Sequence, residues 1–140
     1  MARVFVDANV FLYALGGTGP HRGACRDLLA ATGDGIVDAV TSVEVLQEIL
    51  YVRARRVNAS DAAEAVLAAA ELVGEVLPVT KEDVLLGARL CQRHERLGSR
   101  NAIHAAVMLN NKLHLVVSLD QDFDVLKEIT RLGPGEALAK

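Results

Sequence analysis

The sequence predicts an α/β fold with a mostly parallel central sheet and helices on both of its faces. Short apolar runs that suit buried strands alternate with longer segments in which apolar residues recur at helical spacing. Strands separated by helices pair in parallel, because the chain must cross back before the next strand begins. The composition is 51% hydrophobic and only 4% aromatic, which favours a core of alanine, leucine and valine over a β-sandwich. With 140 residues, the chain is expected to form a single domain, 1–140.

Each predicted strand is a short apolar run. The strands cover 3–7, 36–40, 76–79, 114–119 and 130–132. Pro78 suits an edge strand, because proline has no amide hydrogen to donate to a neighbouring strand. The short segment 130–132 is also expected at an edge.

Helical periodicity predicts the segments between the strands. The helices cover 9–15, 21–31, a segment that contains 44–50 and is capped by Thr41 or Ser42, 60–73, 80–97, 99–109 and a short one within 120–126. Thr80 and Ser99 are predicted N-caps, and Gly98 is expected to end a helix. The glycine-rich segment 16–20 lacks the Gly-Lys-Ser/Thr ending of a phosphate loop and is predicted to be a turn. Residues 133–140 are expected to form a frayed tail.

Charge and hydropathy exclude several classes of protein. The net charge of −3 argues against broad electrostatic coating of nucleic acid, although a small acidic site with a basic rim is compatible with it. The most apolar segment, 62–77, contains three glutamates and cannot span a bilayer, so no membrane association is expected. Cys25 and Cys91 lie far apart in helical segments and are expected to be reduced thiols of a cytoplasmic protein.

Four polar residues stand where strands end or helices begin. Asp7 and Asp120 each close an apolar run, while Glu44 and Asn101 each lie in the first turn of a predicted helix. The carboxyl ends of parallel strands and the helices that follow them meet at one edge of a sheet, so these side chains are expected to converge. Carboxylates gathered in one cleft are costly unless a cation neutralises them. The sequence therefore predicts a site for a hard divalent ion such as Mg²⁺.

Each of the four residues also has an ordinary structural explanation. Asp7 and Asp120 could cap the helices that follow them, Glu44 could be a solvated helix residue, and Asn101 could be a polar residue near a helix start. The metal site is favoured when the four are taken together, because few basic residues lie close in sequence to Asp7 or Asp120 to pair with them.

Four segments resemble, in order, the motifs of PIN-domain nucleases. They are FVDANVFL at 5–12, TSVEVLQE at 41–48, SRNAIHAA at 99–106 and VSLDQDFD at 117–124. The resemblance places the family's acids at Asp7, Glu44 and Asp120, and it puts Asn101 where the family has an aspartate. Length and layout are most similar to the VapC toxins of bacterial and archaeal toxin–antitoxin pairs.

This resemblance implies a PIN-like three-layer α/β/α fold and a specific activity. The protein is expected to be an endoribonuclease that depends on Mg²⁺ or Mn²⁺ and hydrolyses RNA phosphodiester bonds. Its expected partners are an RNA substrate, a small cognate antitoxin that inserts into its groove, and a second copy of the chain in a homodimer.

In that chemistry, Asp7 and then Asp120 are the best candidates for direct metal ligands. Glu44 is expected to bind through water or to take a proton from the attacking water, and the predicted metal-binding set also includes Asn101. Supporting positions are predicted for Asn9, which would orient Asp7, for Ser118, which would position a water or Asp120, and for Asp122, which is either an outer oxygen donor or a solvated turn residue.

Asn101 is the departure from the family pattern that matters most. An amide oxygen can bind a hard cation but brings no negative charge, so weaker metal binding and much reduced cleavage are predicted. The residue is either natural divergence or an engineered inactivation. The alternative function is therefore a catalytically impaired PIN-like module that binds RNA or a protein. A phosphatase of the haloacid-dehalogenase type is less favoured, because Asn9 removes the second acid of its Asp-x-Asp motif.

Arg96 and Arg100 precede the Asn101 turn and are predicted to contact RNA phosphates at the rim of the site. His104 is expected to be a hydrogen-bonded core histidine. Tyr13 and Tyr51 are expected to be buried at helix interfaces rather than to stack on bases.

Overall fold

The computed structural model describes residues 2–16 and 19–139, so the centre of the predicted turn at 16–20 lies outside the described residues. Five parallel strands form the sheet in the order β3-β2-β1-β4-β5. The strands are β1 (Val4–Val6), β2 (Ala39–Ser42), β3 (Glu75–Leu77), β4 (Leu115–Val117) and β5 (Thr130–Leu132). The predicted α/β class, the parallel pairing and the placing of 130–132 at an edge are confirmed.

Helices connect the strands throughout the described ranges. They are α1 (Ala8–Leu15), α2 (Arg22–Gly33), α3 (Val43–Arg56), α4 (Ala59–Leu72), α5 (Lys81–Arg93), α6 (Ser99–Asn110) and α7 (Pro134–Ala139), with 3₁₀ turns at Glu95–Leu97 and Gln121–Val125. Within those ranges, none of the helices combines the length and the hydrophobicity that crossing a bilayer requires.

Both faces of the sheet are covered, which explains why its strands are apolar without alternation. Phe5, Val40 and Val116 are fully buried on adjacent strands, where Phe5 is aligned with the other two. Thr41 is a buried polar residue of β2, and its hydroxyl donates a hydrogen bond to the carbonyl of Val6 at 2.8 Å. The hydrogen bond compensates for the loss of water around that hydroxyl.

The order of the strands reverses beside β1, which fixes where a ligand site forms. The chain moves from β1 to β2 and β3 on one side, then continues on the other side of β1 with β4 and β5. The crevice at the carboxyl ends of strands next to such a reversal is the usual ligand site of an open parallel sheet. The amide of Asp7 donates to the carbonyl of Val117 at 3.0 Å, so the ends of β1 and β4 are joined at this crevice.

Helix starts follow the predicted capping chemistry in two of three cases. The hydroxyl of Thr80 accepts from the Asp83 amide at 3.3 Å and the Asp83 carboxylate accepts from the Thr80 amide at 2.8 Å, a complete capping box. The hydroxyl of Ser42 accepts from the Val45 amide at 3.3 Å. Ser99 is not a cap, because Gly98 occupies the N-cap position of α6 with a φ of 84°. That left-handed conformation suits glycine.

Several predicted boundaries are wrong. The strand predicted at 36–40 is β2 at Ala39–Ser42, and Pro78 follows the end of β3 at Leu77 instead of lying within the strand. Helix α5 ends at Arg93 and not at 97, because His94 leaves the helical conformation and the chain continues as a 3₁₀ turn. The predicted frayed tail is helix α7 as far as Ala139. It packs against α2, and Ala137 is buried. Packing against the core therefore orders a segment whose glycine and proline content predicted disorder.

Candidate metal site

Asp7 lies between the end of β1 and the start of α1, and both of its carboxylate oxygens are engaged. Oδ1 accepts from the Ala8 amide at 2.8 Å, so Asp7 caps α1. Oδ2 accepts from the Ser118 hydroxyl at 2.7 Å, across the crevice from the end of β4. Asp7 is buried. Helix capping accounts for the position of Oδ1, while the Ser118 hydroxyl holds Oδ2 at the crevice.

Asn9 and Ser118 hold the two strand ends in a fixed arrangement. The amide nitrogen of Asn9 donates to Asp7 Oδ2 at 3.3 Å and to Ser118 Oγ at 3.1 Å. The Asn9 carbonyl oxygen accepts from the backbone amide of Leu119 at 3.3 Å. Ser118 Oγ also accepts from the backbone amide of Asp120 at 3.0 Å. These bonds leave the carboxylate of Asp7 little freedom to rotate away from the crevice.

Asp120 follows β4 and meets Asn101 from the first turn of α6. The amide nitrogen of Asn101 donates to Asp120 Oδ2 at 2.8 Å. The other oxygen, Oδ1, accepts from the backbone amide of Asp122 at 2.9 Å, so Asp120 caps its 3₁₀ turn as well. A cavity of about 360 Å³ opens beside this pair, and it is lined by Glu48, Leu97, Gly98, Ser99, Arg100, Asn101, Asp120 and Asp122.

Asp7, Glu48 and His104 form a compact cluster of groups that can bind a metal. One carboxylate oxygen from each acid and a ring nitrogen of the histidine all lie within 4.8 Å of one another. Nε2 of His104 is 3.1 Å from Glu48 Oε1 and 3.6 Å from Asp7 Oδ1. His104 is fully buried and hydrogen-bonded, as expected for a core histidine, but its partners are acids of the candidate site.

The acid that the structure brings next to Asp7 is Glu48, and not Glu44 as the sequence predicted. Among the described residues, Glu44 is outside the cluster, although it is close enough to raise the pKa of His104. The two glutamates are four residues apart and share one face of α3. Both are present in the motif segment 41–48, and their helical pattern gives no signal to choose between them.

Burial and mutual charge shift the pKa values in the cluster. Burial is the largest effect on Asp7 and raises its pKa above the ordinary value, against the lowering effects of His104 and the Ser118 hydrogen bond. Burial alone would lower the pKa of His104, but the hydrogen bond to Glu48 and the charges of Asp7 and both glutamates outweigh it and raise the pKa. Both shifts favour the protonated form of the side chain relative to its ordinary state, and the negative charges around His104 are the cause of its shift.

These residues fit a divalent cation. The carboxylates of Asp7 and Glu48 raise the pKa of the buried His104. A cation between the two carboxylates would compensate the same negative charge. Carboxylate oxygens are the donors that hard ions prefer. Asp7 and Glu48 would hold the ion, with His104 orienting Glu48 through its hydrogen bond as an outer partner.

The two tyrosines differ from the sequence prediction that they would be buried. Tyr13 and Tyr51 are not buried: their exposed fractions are 42% and 46%. Arg100 is exposed at the cavity, with Nη1 3.9 Å from Glu48 Oε2. Arg96 is exposed on the 3₁₀ turn that leads into α6. Tyr51 is a surface residue whose ring lies 5.6 Å from Cζ of Arg100, which lines the cavity.

Comparison with known proteins identifies relatives over nearly the whole chain. The PIN domain family matches residues 4–129. Ribonuclease VapC13 of Mycobacterium tuberculosis H37Rv is 35% identical over 133 residues, which cover 93% of this chain and 99% of the relative. Ribonuclease VapC7 of the same strain is 33% identical, covering 96% of this chain and 93% of the relative.

Solved structures share the fold at lower identity. VapBC2 from Rickettsia felis, bound to a promoter DNA fragment, matches with a TM-score of 0.72 at 12% identity, covering 94% of this chain and 98% of the matched chain. The sarcin-ricin loop cleaving toxin VapC20 of M. tuberculosis matches with a TM-score of 0.72 at 24% identity, covering 87% and 93%. From the family match and the two ribonuclease relatives, we conclude that this chain belongs to the PIN domain family and, within it, to the VapC ribonucleases.

Proposed function

We propose that this protein is an endoribonuclease toxin that cleaves RNA with the help of Mg²⁺ or Mn²⁺ held by Asp7 and Glu48. The observation that carries the proposal is the cluster of Asp7, Glu48 and His104, with ligand atoms within 4.8 Å of one another, in a chain that belongs to the VapC ribonucleases. Two free cysteines suit a reducing compartment, so we place the toxin in the cytoplasm.

Hydrolysis of a phosphodiester requires an activated water and neutralisation of the charge that builds on the phosphate, both of which a bound divalent ion supplies. Asp7 and Glu48 bind that ion in our proposal, while Asn9 and Ser118 hold Asp7 in place through the hydrogen bonds described above. Asp120, whose Oδ2 accepts from Asn101 in the same cavity, would contribute a further oxygen. Asp122 has a structural role in this proposal, because its backbone amide donates to Asp120 Oδ1 at the start of the 3₁₀ turn.

The remaining candidates take outer positions in this proposal. Glu44 acts on the cluster through its charge, since its influence on the pKa of His104 is electrostatic. Asn101 keeps Asp120 hydrogen-bonded without adding negative charge. Arg96 and Arg100 are exposed near the cavity and would contact phosphates of the bound RNA.

Cleavage of a structured RNA by the purified protein tests the proposal. We expect slow endonucleolytic cuts in Mn²⁺ or Mg²⁺, no cuts in EDTA, and no cuts by Asp7→Asn, which removes a charge from the ion's ligands. Gel analysis of end-labelled RNA distinguishes internal cuts from degradation at the ends. If the protein and its Asn101→Asp variant both leave a panel of transfer and ribosomal RNAs intact in every metal, the endonuclease proposal is wrong.

A second function is favoured by the contact between Asn101 and Asp120. Because the amide of Asn101 already satisfies Asp120 at 2.8 Å, the protein could bind RNA or a protein partner with little catalysis. Metal titration separates the two: calorimetric uptake of Mn²⁺ that depends on Asp7 supports the enzyme, whereas RNA binding without specific metal uptake supports the binding module.

We also propose that a small antitoxin binds this chain. Solved structures with the same fold include VapBC from Salmonella typhimurium bound to DNA and FitAcB from Neisseria gonorrhoeae. These support a toxin–antitoxin partnership, and we infer that the antitoxin inhibits cleavage.

A homodimer is the last part of the proposal, and exposed apolar residues on α3 support it. Val43 and Leu50 are each more than 40% exposed, and their spacing of seven residues places them on one face of α3. Val57 is equally exposed and follows the end of the helix at Arg56. Val84 and Leu85, near the start of α5, are exposed as well. Exposed apolar side chains on two helices support a subunit contact, because large exposed apolar areas mark interaction sites.

We expect Leu50→Glu to convert the dimer to a monomer, because the carboxylate would be buried without a partner at the interface. Sedimentation velocity at micromolar protein measures the change. Leu67→Glu is the matched control: Leu67 is 69% exposed on α4, so the same substitution there should leave the dimer intact. A monomeric wild-type protein would contradict the assignment.

A further inference from the structure

Glu48, Tyr51 and Arg55 follow one another at spacings of three and four residues on α3. Residues at these spacings lie on the same face of a helix, one above the other. Glu48 belongs to the acidic cluster, so this face leads directly from the candidate metal site to the protein surface, with Tyr51 and then Arg55 along it.

A second element brings another arginine to the same ring. Cζ of Arg55 lies 5.4 Å from the centroid of the Tyr51 ring, and Cζ of Arg100, from the first turn of α6, lies 5.6 Å from it. Both distances are within the range of an attractive cation–π interaction. Arg100 also lines the cavity beside Asn101 and Asp120. One half-exposed tyrosine therefore contacts two guanidinium groups, and one of them, that of Arg100, lines the cavity.

Ordinary structural roles do not account for the whole arrangement. A Tyr51–Arg55 pair alone would be a common helix-surface contact, but Arg100 arrives from a different helix. Arg100 is not simply the partner of Glu48, because their ion pair is long, at 3.9 Å, and the Arg100 side chain is 53% exposed. Exposed pairs of that geometry contribute little to stability, so the guanidinium remains available to a ligand.

The start of α6 adds to the positive character of this edge. Gly98 and Ser99 line the cavity, and among the described residues no side chain caps the helix. Its first amide groups and the positive end of its dipole therefore stay open to a negatively charged ligand beside Arg100.

We propose that Tyr51, Arg55 and Arg100 form a clamp for the phosphates of single-stranded RNA, with Tyr51 positioning the two arginines. Arginine is well suited to phosphates because its planar fork donates paired hydrogen bonds. The clamp guides the strand across the cavity that contains Asp120. It rests on the proposed function, since it takes RNA as the ligand of this site.

Binding of a fluorescently labelled single-stranded RNA, measured by anisotropy over a range of KCl concentrations, tests the clamp without relying on activity. Ca²⁺ is added as a hard cation that carboxylate oxygens accept. Tyr51→Leu should weaken binding at least about fivefold, because both arginines lose the ring that holds them in position for the phosphates. Tyr51→Phe keeps the ring and should bind within about twofold of the wild type.

Removing either arginine should change how binding depends on salt. Arg55→Gln and Arg100→Gln should each reduce the slope of log affinity against log salt by about 0.7, the value for one phosphate contact on a single strand. Lys112→Gln is the matched control: it removes one positive charge just beyond the opposite end of α6 and should leave the slope unchanged. Thermal melting checks that each variant is folded.

The outcomes separate the clamp from the proposed function. If the wild type binds RNA and Tyr51→Leu binds equally well with the same salt slope, the clamp is wrong and the nuclease proposal stands. If the wild type neither binds nor cleaves RNA, both fail. Rescue by phenylalanine but not by leucine is the result that supports a positioning role for the ring.

Discussion

Replacing Asn101 with aspartate is expected to increase metal-dependent RNA cleavage by about 10- to 100-fold or more, the range over which partners of metal ligands usually act. In the wild type, the Asn101 amide donates to Asp120 Oδ2 at 2.8 Å and satisfies that carboxylate without any cation. An aspartate at 101 would place two carboxylates at hydrogen-bond distance. Their repulsion is relieved only by a proton or by a cation between them. The substitution should therefore replace a hydrogen bond that needs no cation with a pair of carboxylates that can bind one.

Stability measurements give a second signature of the same change. Without metal, Asn101→Asp should lower the melting temperature, because the new charge pair is unfavourable in the folded state. Adding Mn²⁺ should then raise the melting temperature of the variant by more than that of the wild type, because the variant is expected to bind the ion more tightly. A ligand at a hundred times its dissociation constant stabilises a protein by about 2.7 kcal/mol. Differential scanning calorimetry across a metal titration measures both effects on one protein.

Helix α6 provides a matched control at its other end. The amide of Asn110 donates to Asp83 Oδ1 at 2.7 Å, so Asn110→Asp makes the same substitution on the same helix against the same kind of carboxylate. It should destabilise the protein without any gain in cleavage, because its cavity contains neither Asp7 nor Glu48. Equal cleavage by the two variants would show that the effect of Asn101 is unrelated to the site.

Asp7 and Asp120 were predictable because their position depends on local pattern. Each follows a short apolar run, and the carboxyl ends of parallel strands beside a reversal of strand order meet at one crevice. The structure places these residues after β1 and β4, which are neighbours in the sheet. Strand pairing alone was therefore enough to bring the two acids to the same crevice.

Glu48, Tyr51 and α7 were not predictable in the same way, since each depends on tertiary packing. Glu44 and Glu48 are equivalent in helical pattern, and only the placement of α3 beside α6 brings Glu48 to His104 at 3.1 Å. Tyr51 was expected to be buried at a helix interface, but it is 46% exposed and contacts Arg100 of α6. The tail was expected to fray because of Gly133, Pro134 and Gly135, but proline suits the first position of a helix, the residues that follow are good helix formers, and contact with α2 orders the segment.

Glu48→Gln is expected to reduce cleavage at least about 100-fold, a loss typical of removing a group that acts at the reacting centre. Glu44→Gln should reduce it by less than about tenfold. The two substitutions are chemically identical and one helical turn apart on α3, so each is the control for the other. Glu48 places an oxygen within 4.8 Å of Asp7 and His104 ligand atoms, whereas Glu44 influences His104 only through its charge.

The difference should appear in metal binding as well as in rate. Glu48→Gln removes a charged ligand, so calorimetric Mn²⁺ affinity should fall together with cleavage, while Glu44→Gln should bind Mn²⁺ nearly as the wild type does. If wild-type cleavage is too slow, both substitutions are made on the Asn101→Asp protein, where the signal is larger. The reverse ranking, with Glu44 essential and Glu48 dispensable, would restore the prediction from the motif and require a metal position nearer the start of α3 than the cluster of Asp7, Glu48 and His104 allows.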